Sequence, residues 1–110
     1  MRLVFTVLFL SAALFAQLPK VELTWDDTNN PAGSTTYTVR RATGLCSGSP
    51  TFSTIATGLS AKTFMDDTVT AGNYCYIVTA TASGIESAPS NTSQATVPAA
   101  PPANLQTQIK

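Results

Sequence analysis

From Val21 onward the chain never sustains a helical period; short alternating runs of β-branched and aromatic residues are cut apart by dense turn signals. Val21-Glu22-Leu23-Thr24-Trp25 alternates strictly and puts Val21, Leu23 and Trp25 on one face. It ends in Asp26-Asp27-Thr28-Asn29-Asn30-Pro31-Ala32-Gly33, a cluster of turn formers. Thr35 to Arg41 forms the next predicted strand, with Tyr37 and Val39 inward. Short strands follow at Phe52–Ile55 and Thr63–Met65, the second with Phe64 as its core residue. The longest, Tyr74 to Thr81, places Tyr74, Tyr76, Val78 and Ala80 on one face and Cys75, Ile77 and Thr79 on the other. A last strand covers Ser90 to Val97. About six strands at regular spacing, separated by turns, predict an all-β antiparallel sandwich or barrel.

The segment before these strands has a different character. Arg2 precedes a continuous apolar run from Leu3 to Phe15, closed by the small residue Ala16. This pattern predicts a secretory signal over residues 1–16, with Ala13 as a second cleavage position. The run is shorter than the roughly 20 apolar residues that span a bilayer, so no stable membrane span is expected after cleavage. The competing reading is a buried helix or a retained anchor. Export makes the cysteines informative, because Cys46 and Cys75 are the chain's two cysteines and allow one pairing. The other possibility for them is two buried free thiols.

Charge and chemistry exclude several classes. The formal net charge is zero and charged residues make up 11% of the chain, so no field draws in nucleic acid. There is no histidine, which removes the commonest acid/base group and metal ligand. Asp26-Asp27 and Asp66-Asp67 are the paired carboxylates. Adjacent turn residues point apart, unlike a glycosidase pair. The Asp26–Asn30 stretch is rich in oxygen but lacks the spacing of an established calcium loop. Arg40 and Arg41 form the basic cluster, with one of them facing outward to meet an acidic partner or a sugar; a surface charge at a strand end is the simpler account. No enzyme, cofactor or metal site is expected.

The series "VELTW", "YTVRRA", "TFMDDTV", "AGNYCYIVTA" and "GIESAPSNTSQATVP" resembles the fibronectin type III domain of secreted bacterial proteins, over about residues 20–98. The resemblance implies an immunoglobulin-like antiparallel β-sandwich for residues 17–97. It assigns Trp25 to the core of strand B, Tyr37 and Val39 to strand C, Phe64 and Asp66 to strand E and its turn, and Tyr74, Tyr76 and Val78 to strand F, with Tyr74 as the corner tyrosine. It also makes C and F neighbours, which brings Cys46 near Cys75 as a disulfide.

Two departures from the family matter. Strand A is short or missing, since only Gln17 to Lys20 lie between the signal and strand B. Residues 98–110 add a proline-rich linker and a strand-like tail, in which Leu105, Thr107 and Ile109 alternate. This ending resembles the start of another such domain. Residues 98–103 reach about 20 Å when extended, a full strand length, so returning to the chain's own A position would strain the linker. A neighbouring copy could accept the tail instead. The expected function is therefore a non-catalytic, secreted or cell-surface structural and interaction module. Its partner is protein, either another surface protein or a further copy joined head-to-tail into a filament. The rival is a polysaccharide-binding or spacer module serving a separate secreted enzyme, and a frayed linker is the plain account of the tail.

Overall fold

A computed structural model of the chain describes residues 18–110; the expected signal segment lies outside the described residues. Seven strands form: β1 (Val21–Thr24), β2 (Thr35–Thr43), β3 (Ser53–Leu59), β4 (Thr63–Asp66), β5 (Gly72–Ala82), β6 (Ile85–Glu86) and β7 (Ser93–Val97). β1 and β4 make a two-stranded sheet. The larger sheet runs β3-β2-β5, with β6 and β7 both pairing β5 on its far side. All of these pairings are antiparallel. The result is an immunoglobulin-like sandwich of one narrow and one wide sheet.

Local chemistry explains the connections. β5 and β6 are joined by Ser83-Gly84, both with positive φ (54° and 77°), the conformation of a tight two-residue hairpin turn. The β2–β3 register slips between Tyr37 and Val39, whose partners are Leu59 and Ala56. Gly58, at φ 69°, lies in that slip and supplies the left-handed residue such a bulge needs. After β6 the chain stays against β5 without a regular ladder, as the Oγ atoms of Ser87 and Ser90 accept from the N–H groups of Ala80 and Val78 at 2.9 and 3.0 Å. Pro89 sits in this segment, where its missing N–H leaves no gap in a ladder.

The core between the sheets is built from Leu23, Val39, Val69, Tyr74, Tyr76 and Val97, with Trp25, Phe64 and Val78 packed at its margin. Val39 is fully buried, and Tyr37 is buried beside the edge of the Trp25 ring, centroids 5.5 Å apart. Val78, on the wide sheet, is left partly uncovered by the narrow two-stranded sheet opposite, while Phe64 sits on the narrow sheet itself and Trp25 directly follows its strand β1. Tyr74 forms the corner at the turn into β5: its hydroxyl donates to the Thr70 carbonyl at 3.0 Å and accepts from the Thr70 N–H at 3.1 Å.

On the outer face of the wide sheet, Cys46 and Cys75 are joined, with Cα atoms 5.1 Å apart. The bridge ties the β2–β3 loop down over β5, and Cys75 is fully buried beneath it. Residues 98–110 form no strand and are exposed throughout. The described chain is 68 Å long, whereas its longest strand, 11 residues, spans about 36 Å. The tail therefore projects away from the sandwich.

Candidate functional site

The acidic and basic residues singled out in the sequence are absorbed by the scaffold. Asp27 closes the β1–β2 loop on itself. Its Oδ1 accepts from the N–H groups of Asn29 and Asn30 at 3.1 and 3.2 Å, and its Oδ2 accepts from Asn30 Nδ2 at 3.0 Å and the Tyr37 hydroxyl at 2.8 Å. The Asn30 and Tyr37 side chains hold its carboxyl down at about 2. Those oxygens are committed to the turn. Among the described residues no group of three or more His, Cys, Asp or Glu side chains is arranged to hold a metal ion.

Asp66 and Asp67 part company, as adjacent residues at a strand end do. Asp67 is exposed, while Asp66 is 2% exposed and bridges the sheets. Its Oδ2 accepts from Arg41 Nη1 at 2.8 Å and from the Tyr76 hydroxyl at 2.7 Å, and its Oδ1 from the Thr68 hydroxyl at 2.7 Å. Burial pushes the Asp66 carboxyl up, but the bonds from Thr68, Tyr76 and Arg41 outweigh it and hold it at about 2. Burial, then the bond to Asp66, pushes the Tyr76 hydroxyl well above the usual phenol range. Arg41 also lies over the Tyr74 ring, 5.3 Å from its centroid.

Arg40, one residue earlier, points to the opposite face. There it pairs with Glu86 at 2.9 Å, and Thr79 donates to the same Glu86 oxygen at 2.6 Å. Both arginines are thus neutralised within the chain, and neither is left free to hold an acidic partner.

What remains unpartnered is a stretch of sheet edge. Trp25 N–H donates to the Lys62 carbonyl on the β4 side at 3.1 Å. Given the two-residue period of an antiparallel strand, the backbones of Val21, Leu23 and Trp25 face β4, and those of Glu22 and Thr24 face away. On that side, among the described residues, no strand pairs with β1. β7 likewise pairs only with β5. Between the two edges runs a groove of about 250 Å³, walled by Leu23, Trp25, Tyr76 and Val78 with Ser90 and Ser93 at its rim. The Trp25 Nε1 is buried beside it and has no hydrogen-bond partner. The sequence places Trp25 in the core by alternation; the unpaired indole N–H is invisible to that pattern because it depends on which strand is absent beside it.

The tail residues Leu105 and Ile109 do not line this groove within one chain and are 91% and 98% exposed. Thr107 between them is exposed as well. The tail leaves the sandwich at the pole where β1 begins, since Leu18, Pro19 and Pro98–Pro101 line one cavity of about 650 Å³.

Neither a protein-family model nor a curated protein matches the sequence. Among solved structures, the fold is similar to that of an Fn3-like protein from Clostridium thermocellum. The two are 30% identical with a TM-score of 0.56, over 68% of this chain and 73% of that one. It is also similar to a human FNIII domain solved in solution, at 22% identity and a TM-score of 0.62, over 79% of this chain and 73% of that one.

Proposed function

The chain belongs to the fibronectin type III family, and on that premise we propose that it is a non-catalytic module exported from the cell, whose copies join head-to-tail through the C-terminal strand into a surface filament. The fold supports a generic structural or interaction module, and the disulfide between Cys46 and Cys75 is compatible with an oxidising, extracytoplasmic setting. The observation that carries the finer reading is a pairing of opposites in one chain. Among the described residues no strand lies beside the outer edge of β1, and a projecting tail displays Leu105 and Ile109 almost wholly exposed, with Thr107 between them on the same alternation.

Exposed strand edges and exposed apolar segments are both hazards for an isolated secreted protein. Each is relieved if the tail of one copy completes the sheet of the next. A contact between two different patches of the same chain repeats head-to-tail and gives a filament when the rotation between copies does not close into a ring. Light scattering and electron microscopy on the purified protein, with and without residues 101–110, test this. Elongated particles that revert to monomers on removal of the tail are expected. A monomer in both cases, or assembly that ignores the tail, overturns it.

A further inference from the structure

We infer that the acceptor for the tail is the groove between the free edges of β1 and β7, and that residues 103–109 of a second copy lie there antiparallel to β1, over the indole of Trp25; this rests on the head-to-tail reading above. Glu22 and Thr24 turn their N–H and C=O groups toward this groove, as the Trp25–Lys62 bond on the opposite side requires. A strand laid along them gains ladder bonds without disturbing the β1–β4 pairing. The floor is apolar: Leu23 and Tyr76 are buried, and Trp25 and Val78 are only partly covered. Trp25, which walls the groove, is itself left incomplete in the single chain: its Nε1 is buried with no hydrogen-bond partner, which is costly.

The tail fits as the occupant in pattern, length and direction. Leu105, Thr107 and Ile109 take one face, while Asn104, Gln106, Gln108 and Lys110 take the other, as a strand half-buried in a groove requires. Seven residues extend about 23 Å, enough to cover Val21 to Trp25.

Direction excludes the chain's own groove. The tail exits at the pole where β1 starts, so running straight along its own β1 it would be parallel to it. An antiparallel approach would first have to travel the length of β1 and then reverse. Residues 98–102 span about 16 Å, which the length of β1 nearly consumes and which leaves nothing for a reversal. Three of these five residues are prolines, which resist folding back. Carried onward into a second copy stacked on that pole, the tail enters where β1 ends and runs antiparallel to it.

Trp25 is the only tryptophan, so emission reports on one residue, and that residue walls this groove. The test uses the full chain carrying L105D and I109D, substitutions at exposed positions that leave the sandwich intact. This variant is expected to be monomeric, with Trp25 emission at longer wavelength than in the assembled protein. A synthetic peptide of residues 101–110, added in excess, is expected to return the emission to shorter wavelength in a saturable way. The same peptide carrying both aspartates binds at least about tenfold more weakly, since two apolar anchors are lost. Glu22→Pro, which removes an outward N–H, weakens binding of the unaltered peptide in a chain whose melting curve shows it folded.

A peptide that leaves Trp25 emission unchanged overturns the groove, even if the unaltered protein assembles through its tail. A peptide that moves Trp25 saturably upholds the groove, even if the unaltered protein proves monomeric, in which case the filament alone falls.

Discussion

The guanidinium of Arg41 on β2 meets the carboxylate of Asp66 on β4 at 2.8 Å, joining the two sheets through a pair in which the acid is 3% and the base 22% exposed at the side chain. Tyr76 and Thr68 complete the acid's shell, so its charge is held by three side chains rather than one.

This shell makes stability depend on acid. The Asp66 pKa is lowered from 3.8 to about 2 in the fold, so its contribution is fully present above about pH 4 and is lost as pH falls through about 2. The shift corresponds to about 2 kcal/mol. Asp27 is lowered in the same sense and adds to the same window. Melting temperatures between pH 6 and pH 2 should fall mainly below pH 4, and Asp66→Asn should flatten that fall. An unchanged pH profile in the variant would show that the shell does not act in this way.

Arg40 and Arg41 are adjacent in sequence and unequal in energy. Arg41→Ala strips a buried carboxylate of its cation, at a cost of about 3–5 kcal/mol. Arg40 pairs with Glu86, whose side chain is 44% exposed, where screening leaves little net gain. Urea unfolding should show Arg41→Ala shifting the midpoint far more than Glu86→Ala. Equal shifts would contradict the difference in burial.

That contrast also marks where sequence reasoning stops. Strand positions were legible because alternation and turn chemistry are local, and Tyr37, Val39 and Tyr76 lie buried in the structure. The partner of each arginine was not, because Asp66 reads as one more turn former until β4 is brought against β2 and β5. β6, at Ile85–Glu86, is absent from the strands that the pattern predicts, the last of which starts only at Ser90. Between β6 and β7 the Oγ atoms of Ser87 and Ser90 accept from the N–H groups of Ala80 and Val78, a device with no periodic signature. Phe64 and Val78 have the pattern of core residues yet lie at its margin; for Val78 on the wide sheet, coverage depends on how many strands the opposite sheet holds, which alternation does not encode.

Tyr74 gives a test of the corner. Its hydroxyl both donates to and accepts from the Thr70 backbone, and the Thr70 contact draws its pKa below the ordinary phenol value. Tyr74→Phe keeps the ring under Arg41 and removes only these bonds, which leaves the turn's N–H and C=O unpaired. The melting temperature should fall by about 4–8 °C, with the far-ultraviolet circular dichroism unchanged. No fall would mean that water replaces the hydroxyl without loss.

The disulfide lies on the outer face of the wide sheet, where Cys75 is fully buried under the loop that it holds, and it also constrains the unfolded chain. Cys46 and Cys75 are separated by 29 positions, and closing a loop of that size stabilises by roughly 3–4 kcal/mol in the chain-entropy model. This is a large share of what so small a domain can hold. Cys46 also anchors its loop to β7, because its N–H donates to Gln94 Oε1 at 3.1 Å. Loss of the bridge should therefore loosen the β2–β3 loop and the β7 side of the groove together. Cys46→Ala with Cys75→Ala should lower the urea midpoint by the amount that strong reductant lowers it in the unaltered protein, and should speed amide exchange at Gln94 more than at Val39. If reductant leaves the midpoint where it was, the bridge contributes nothing to stability, and the two sheets alone must hold the fold.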